Sequence, residues 1–291
     1  MINKKDIINI QKLLNNKKIT DSKLLSASFN INCIRITTDD KKKFVVKYYN
    51  KKNKKFNAIL SETKNLDFFN TLDIEFFPKV YSKSNDYLIM SYIINDGNTP
   101  NITRKDFLDA IIKIHSFSDN KYGFGFDTQL GGLKQINTIN NNWVEFYGEK
   151  RLGYIFNLIN RSNAMDSSIN NKIELLLKNL KNFIPQNPKA SLLHGDMWEG
   201  NILFNEKKFV AFIDPGTFYG HNELEIAYLT WFNPDFIKNG FLEKYNEIIK
   251  IDKDFKYYEP VYQLYYSLLN VHLWDRRYIK DVDRLLKIIK V

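Results

Sequence analysis

The sequence predicts an α+β protein with two lobes, a β-rich N-terminal lobe and a helical C-terminal lobe. Short runs of β-branched and aromatic residues are concentrated in the first third of the chain, and helical hydrophobic spacing dominates from Thr103 onward. Strand character ends in a polar segment, residues 90–96, which we interpret as a hinge. At 291 residues the chain is long enough for two such lobes, predicted at 1–92 and 93–291.

The individual elements follow from the spacing of hydrophobic residues. Within residues 1–20 the apolar residues have a helical spacing that predicts a first helix; they are Ile7, Ile8, Ile10, Leu13 and Leu14. The N-terminal lobe then contains predicted strands at 29–38, 43–49 and 86–92, with a helix at 58–71. The C-terminal lobe contains predicted helices at 104–116, 143–160, 169–183, 223–231, 241–250 and 259–272, and short strands at 202–205 and 209–213.

Composition excludes several classes of protein. The 44% hydrophobic and 15% aromatic content is typical of a compact protein, and no apolar run reaches the roughly 20 residues that span a bilayer. The N-terminus lacks the continuous apolar segment of a secretory signal, and Cys33 is the single cysteine, so an intramolecular disulfide is excluded. We therefore expect a cytoplasmic protein with no membrane partner.

The net charge of +10 is not interpreted as a nucleic-acid signal. Most of the 43 basic residues are lysines, and the densest runs, 41–43 and 51–55, resemble solvated loops near strand ends. Nucleic-acid surfaces favour clustered arginines with interleaved aromatic residues. We expect no nucleic-acid partner, although a basic field helps to attract phosphorylated ligands.

The segment that carries chemistry is LLHGDMWEGNILFNEKKFVAFID, residues 192–214. Asp196 is followed five positions later by Asn201, then by two short predicted strands, and then by Asp214. Phosphoryl transfer from ATP needs a carboxylate that accepts the proton of the attacking hydroxyl, and oxygen ligands that hold Mg²⁺ against the phosphates. Protein kinases supply these groups in the same order and spacing. Taken singly, these residues could be ordinary caps and turns; the ordered set predicts a protein-kinase-like fold.

The N-terminal lobe supplies a matching pair. Lys47 ends the apolar run FVVK on a predicted strand, and Glu62 follows in a predicted helix, so Lys47 is predicted to hold ATP phosphates while Glu62 orients it. Other phosphate-binding loops, GxxxxGK[ST] and GxGxxG, are absent from the sequence, as is zinc-like histidine spacing. After Asp214 a helix is predicted within about ten residues, which leaves no room for a long peptide-docking segment. The acceptor should therefore be a small molecule.

These motifs resemble the fructosamine (ketosamine) kinases, within the aminoglycoside-phosphotransferase and protein-kinase-like group. HGDMWEGNI followed by IDPGTFYGHNELEIA is similar to the family pattern HGDLWxGN … DPxxxYGHxExDLA. Residues 123–137, 141–153 and 264–274 resemble three further family segments, so the resemblance covers most of the C-terminal lobe. It implies ATP-dependent phosphorylation of a sugar hydroxyl on a ketosamine, a step that initiates removal of sugar adducts from amines.

The resemblance also implies roles for individual residues. Asp196 would be the catalytic base, Asn201 and Asp214 the magnesium ligands, and Lys47 with Glu62 the phosphate-anchoring pair.

Further residues are assigned to the two ligands. Trp198 would line the acceptor pocket, where an indole can pack against a sugar face, and Tyr219 and His221 are assigned to the acceptor with it. Met90 and Tyr92, in the hinge, are assigned to the nucleotide.

One segment departs from the family pattern. The family's nucleotide loop is rich in glycine and usually carries a cysteine, whereas this chain has SASFNIN at 26–32 and Cys33 on the following predicted strand. Glycine lets a backbone approach phosphates closely, so the change bears on ATP affinity. Two alternatives stay open: a kinase of choline, an amino alcohol or an aminoglycoside, and a catalytically inactive binding module. The oligomeric state is not indicated by the sequence.

Overall fold

The computed structural model describes residues 2–50 and 56–291, which form two compact units. The first unit contains the described residues through Asn98, together with Thr128–Lys134 and Asn201–Gly216. The second contains Thr99–Asp127, Gln135–Gly200 and Thr217–Val291. The predicted boundary between residues 92 and 93 instead assigns residues 128–134 and 201–216 to the C-terminal lobe. The lysine run at 51–55 lies outside the described residues, while Lys41, Lys42 and Lys43 are exposed.

The described residues contain ten α-helices and twelve strands. The helices are α1 (Lys4–Leu13), α2 (Ala58–Thr71), α3 (Lys105–Ser116), α4 (Trp143–Tyr147), α5 (Gly153–Asn163), α6 (Ser167–Lys178), α7 (Asn222–Phe232), α8 (Phe241–Ile248), α9 (Phe255–Leu273) and α10 (Ile279–Ile289). The strands are β1 (Ile19–Ser28), β2 (Ile31–Thr38), β3 (Lys43–Tyr49), β4 (Val80–Lys83), β5 (Tyr87–Ser91), β6 (Ser118–Asp119), β7 (Thr128–Leu130), β8 (Leu133–Gln135), β9 (Ala190–Leu193), β10 (Ile202–Asn205), β11 (Lys208–Phe212) and β12 (Phe218–His221). One π-helical turn, Gly148–Leu152, joins α4 to α5.

The first unit is built on a five-stranded antiparallel sheet in the order β1-β2-β3-β5-β4. Helix α1 covers one face of the sheet, where Ile10 and Leu14 enter a buried cluster with side chains of β2, β3 and β5. Because side chains alternate along a strand, Phe44, Val46 and Tyr48 point into this cluster and Lys47 points to the opposite face. The sequence of β3 thereby directs one lysine away from the apolar core.

The hairpin of β10 and β11 belongs to the first unit because its aromatic side chains pack there. Phe209 and Phe212 meet Phe76, with ring centres 5.9 and 5.7 Å away, and the Phe212 N–H donates to the Phe76 carbonyl. The hairpin's burial is therefore decided by contacts with a segment more than 120 positions earlier in the chain. A single boundary along the sequence therefore cannot place the hairpin in the first unit.

The second unit is mostly helical and surrounds α9, a helix of 19 residues that is buried along most of its length. A small sheet in the order β12-β9-β6 lies in the same unit. Tyr228 of α7 stacks on Tyr266 of α9, with ring centres 3.6 Å apart and planes only 5° from parallel. Aromatic packing of this kind fixes α7 on α9.

The α+β prediction is confirmed, and the differences are several short or exposed strands and one C-terminal helix. Strand β1 was not predicted because it lies at the sheet edge and is exposed along almost its whole length, so apolar and polar residues do not alternate in it. The short strands β4, β6, β7, β8, β9 and β12 were not predicted either. The amphipathic helix α10 extends the helical region beyond the last predicted helix.

Candidate functional site

Three charged side chains predicted for the nucleotide site meet in the first unit. The Lys47 Nζ atom lies 2.7 Å from a Glu62 carboxylate oxygen and 2.5 Å from an Asp214 carboxylate oxygen. Lys47 and Glu62 are buried, while the Asp214 side chain is 36% exposed. Helix α2 thus supplies the carboxylate that orients Lys47, and it also anchors the chain after Asp214, because Asn65 donates to the Pro215 carbonyl at 2.9 Å. The predicted Lys47–Glu62 pair is present.

This group holds one positive charge and two negative charges. Burial alone would lower the pKa of Lys47, but Asp214 and Glu62 outweigh that effect and raise it, so the ammonium stays protonated. Burial raises the pKa of Glu62, and Asp214 raises it further, while Lys47 opposes both. The partly exposed Asp214 carboxylate is the member of this group that is suited to binding a cation.

Asp214 and Asn201 flank the β10–β11 hairpin. The N–H of Ile213 donates to the Asn201 carbonyl at 3.0 Å, which brings the two ends of the hairpin together. Asp214 has a left-handed φ of 57°, a conformation that Asp and Asn adopt more readily than most residues. A carboxylate and an amide supply hard oxygen donors of the kind that Mg²⁺ prefers. The residues present therefore fit a magnesium ion.

The remaining residues assigned to the nucleotide lie on β5 and just beyond it. Met90 is buried and paired with Val45, and Tyr92 is half-buried with the Lys43 ammonium 6.0 Å from its ring centre. Their contact with nucleotide stays a prediction.

The glycine-less segment at 26–32 forms a tight hairpin rather than an open loop. Strand β1 continues to Ser28, Phe29 and Asn30 take positive φ angles of 51° and 61°, and β2 begins at Ile31. Cys33 then lies on β2 directly opposite Lys47, and burial raises the pKa of its thiol to about 11. The thiol is therefore neutral near pH 7 and is a poor nucleophile there.

The predicted base, Asp196, lies in the second unit, in the loop that follows β9. The loop backbone is held by Glu225 of α7, which is fully buried. Its two carboxylate oxygens accept the N–H groups of His194, at 3.1 Å, and Gly195, at 2.7 Å. The Asp196 N–H in turn donates to His194 Nδ1 at 3.2 Å. Gly195, which has a φ of +86°, supplies a backbone conformation that a side chain would strain.

A second line of hydrogen bonds fixes Glu225 itself. His115 Nε2 lies 2.9 Å from Glu225, and His115 Nδ1 lies 2.7 Å from the Tyr245 hydroxyl. Burial alone would raise the pKa of Glu225, but the bonds from His115 and the loop outweigh it and lower the pKa. His115 is a packed residue of α3, and no sequence pattern indicates that it supports the loop of Asp196.

Trp198 is half-buried rather than part of the core. Its ring lies over Gly200, where an added Cβ would meet the indole at 2.3 Å, and its centre is 6.0 Å from that of Phe232 on α7. Because Gly200 has no side chain, it leaves the space that the indole occupies. Partial exposure agrees with the predicted acceptor contact, which stays a prediction.

The other two residues assigned to the acceptor differ in exposure. Tyr219 on β12 is half-buried and exchanges two backbone hydrogen bonds with Gly123. His221 is 5% exposed, and its Nδ1 atom lies 2.9 Å from the hydroxyl of Tyr262. Burial lowers the pKa of His221 to about 3, so it is neutral. The structure thus places His221 among aromatic side chains of the second unit.

The matches to known sequences cover the candidate site residues of both units. The sequence model described as fructosamine kinase matches residues 2–290. The chain belongs to the fructosamine kinase family. It is 28% identical over 286 residues to a protein named probable ketoamine kinase from Enterococcus faecium, covering 96% of this chain and 99% of that protein. It is 31% identical over 217 residues to the chloroplastic protein-ribulosamine 3-kinase of Arabidopsis thaliana, covering 70% of this chain and 63% of that protein.

Solved structures show the same fold. A protein assigned as a fructosamine-3-kinase from Thermobifida fusca superposes with a TM-score of 0.83 at 20% identity, covering 98% of each chain. An aminoglycoside phosphotransferase crystallised with streptomycin and ATP has a TM-score of 0.65 at 16% identity, covering 99% of each chain. The predicted protein-kinase-like fold and family resemblance are therefore confirmed. Among the helices of the described residues, none combines the length and hydrophobicity needed to cross a membrane.

Proposed function

We propose that this chain is an ATP-dependent kinase that phosphorylates a sugar hydroxyl of ketosamines, of the fructosamine or ribulosamine type. The observation that carries the proposal is the lysine held between two carboxylates, Lys47 with Glu62 and Asp214. Kinases use such a lysine to bind ATP phosphates and such an aspartate to bind Mg²⁺. Membership in the fructosamine kinase family, and relatives named for ketoamine and ribulosamine, support the ketosamine as acceptor.

The chemistry assigns each residue one task. Asp196 takes the proton of the acceptor hydroxyl as that oxygen forms a bond to the γ-phosphorus, and the bond from this phosphorus to the bridging oxygen breaks with its electron pair remaining on ADP. Lys47 binds the phosphates, and Glu62 keeps its ammonium directed. Asn201 and Asp214 would hold Mg²⁺, which, when bound, neutralises charge on the phosphates.

The half-buried aromatic surface of Trp198 and Phe232 supports a small cyclic acceptor near Asp196. An apolar ring face binds the C–H face of a sugar, and its electron-rich centre attracts the protonated amine of a ketosamine. A kinase of choline, an amino alcohol or an aminoglycoside is the alternative, and its main support is a fold that many chemistries share.

The proposal is tested by turnover of purified protein against a panel of acceptors. Ribulosamine, fructosamine, choline, an amino alcohol and an aminoglycoside are each supplied with ATP, with Mg²⁺ or with a chelator, and ADP release is measured. We expect Mg²⁺-dependent turnover with a ketosamine, and a new phosphate ester on its sugar by phosphorus NMR. A preference for another acceptor would overturn the ketosamine assignment, and failure to bind Mg·ATP would indicate a binding module.

The role of Asp196 as the base is tested by the variant Asp196→Asn, which keeps the side-chain shape. It is expected to reduce turnover by roughly 10²–10⁴-fold, the usual contribution of a positioned general base. Mg·ATP affinity should change little because this carboxylate serves the acceptor. Activity within threefold of wild type would show that Asp196 is not the base.

A further inference from the structure

The turn between β1 and β2 contains an aromatic residue in a conformation that is unusual for it. Phe29 and Asn30 form the turn, both with positive φ angles, and Ser28 pairs with Ile31 at its base. Asparagine and glycine suit such a turn, whereas a bulky side chain at positive φ is strained. Strain of this kind persists only where the surrounding structure holds the residue in place.

The turn of the β7–β8 hairpin provides such a contact. This turn consists of Gly131 and Gly132, with φ angles of 54° and 75°. A Cβ added to Gly132 would lie 2.7 Å from the Cβ of Phe29 and 3.2 Å from its Cγ. Any side chain at position 132 would therefore displace Phe29, and the absence of one lets Phe29 pack directly on the glycine backbone.

The β7–β8 hairpin is itself firmly held within the first unit. All three residues of β7 are buried, and this strand lies against α2, the helix that carries Glu62. The Gln129 side chain closes the turn, because its Oε1 atom accepts the Gly132 N–H at 3.0 Å. Phe29 thus packs on a backbone that is fixed by contacts of its own.

The Phe29–Asn30 turn occupies the place of the family's glycine-rich nucleotide loop. Cys33 of β2 lies opposite Lys47, and Asn30 is three residues away along the same strand, a distance of roughly 10 Å. In kinases the loop at this place covers the phosphates that the lysine binds. Glycines let that loop approach the phosphates but also make it flexible. A turn held at Phe29 is already ordered, so less loop freedom is lost when ATP binds.

We propose that Phe29 is a positioning residue for ATP, and that it holds the nucleotide loop over the phosphate site by packing on Gly132. The β7–β8 hairpin is then a part of the nucleotide site, and a pre-ordered turn takes the place of the flexible glycines. The proposal rests on the proposed function, in which Lys47 and Asp214 bind Mg·ATP.

The first test is the affinity of Phe29→Asn for Mg·ATP, measured by calorimetry in the full chain. Asparagine keeps the left-handed turn and removes the ring. We expect the Kd to rise roughly 3- to 10-fold, the effect of one loop side chain that must now be ordered on binding. Tm should stay close to wild type because Phe29 is only half-buried and its strain is relieved. A fall in Tm with an unchanged Kd would overturn the proposal and leave the ring a packing role only.

The second test changes the other side of the contact, with Gly240→Ala as the control for Gly132→Ala. The φ angles of these glycines are 75° and 79°, so both variants introduce the same backbone strain. A Cβ at Gly240, however, would meet the Lys244 Cε atom at 3.7 Å, an ordinary van der Waals distance. Both variants should lower Tm, but only Gly132→Ala should raise the Kd for Mg·ATP. Equal Kd values in the two variants would contradict the proposal.

A double variant isolates the contact itself. Phe29→Gly removes the Cβ that the substitution Gly132→Ala encounters, so in that background Gly132→Ala should raise the Kd less than it does in the wild type. The same increase in both backgrounds would show that the contact does not position the loop. If the wild-type chain does not bind Mg·ATP, the proposed function fails; if it binds and Phe29→Asn and Gly132→Ala bind equally well, only the positioning role fails.

Discussion

The two units each contain a buried polar cluster, and the clusters use different chemistry. In the first unit, Lys47 is ion-paired to both Glu62 and Asp214, so formal charges are concentrated at one point. In the second unit, the cluster around His221 is neutral at that residue and consists largely of tyrosine and tryptophan hydrogen bonds. The Trp143 indole N–H donates to the Tyr262 hydroxyl, which pairs with His221.

The difference indicates that the charged cluster serves ligand binding and that the aromatic cluster stabilises the fold. Desolvating charges costs about as much as their attraction returns, so a buried ion pair is weak evidence for stability and is better explained by a charged ligand. A hydrogen-bonded aromatic cluster has no such cost and stabilises the unit that contains it. Removing the charge of the partly exposed Asp214 should therefore abolish ligand binding with little effect on folding, because the Lys47–Glu62 pair stays in place, and changes in the second cluster should do the reverse.

The largest expected effect is on the charged cluster. Asparagine adopts the left-handed backbone conformation of position 214 as aspartate does. The variant Asp214→Asn therefore removes only the charge and leaves the Lys47–Glu62 pair in place. Turnover should fall to background and Mg·ATP affinity should be lost, measured by calorimetry, with Tm close to wild type. Asp21→Asn, which removes an exposed partner of Arg35 in the same unit, is the control and should change neither. Unchanged Mg·ATP affinity in Asp214→Asn would remove that residue from the metal site.

An intermediate effect is expected on the pH dependence of stability. His221 has a folded pKa of about 3 and an unfolded value near 6.5, so between these values the unfolded chain binds one more proton. The free energy of unfolding therefore falls as pH is lowered through this window. His221→Asn, which can still accept from Tyr262, should reduce that slope by up to about 1.4 kcal/mol per pH unit.

Urea unfolding between pH 4 and pH 6 measures this slope. The control is His272→Asn, because burial lowers the pKa of His272 but the side chain is only half-buried, so the change should be smaller. An unaltered slope in His221→Asn would show that His221 is not a neutral core residue. An acceptor KM that rises while Tm stays constant would instead support the original assignment of His221 to the acceptor.

The smallest effect is expected at Trp198, which belongs to neither cluster. Trp198→Ala should raise the acceptor KM several-fold and leave the ATP KM nearly unchanged, since a lost aromatic stack costs about 0.5–1.5 kcal/mol beyond lost area. Tm should stay close to wild type because the indole is half-exposed. Trp274→Ala, at a tryptophan that is 62% exposed, is the control. A large fall in Tm with an unchanged acceptor KM would place Trp198 in the core.

Much of the first cluster could be predicted from the sequence. Lys47 and Glu62 are identified by local pattern, an alternating strand and a helix, and Asn201 and Asp214 by their spacing around a hairpin. The second cluster could not be predicted in this way. Trp143, His221 and Tyr262 lie far apart along the chain, and their hydrogen bonds form only when α4, β12 and α9 come together.

Periodicity and motif spacing are local properties of the chain, so they predicted the α+β class, the order of most elements, and which residues could perform phosphoryl transfer. The folded structure was needed to show that β1 is a strand, that the β10–β11 hairpin packs with the first unit, and that Glu225 supports the loop of Asp196. The reason is physical. An edge strand, a distant aromatic contact and a buried hydrogen bond acquire their free energy from partners that only folding brings together.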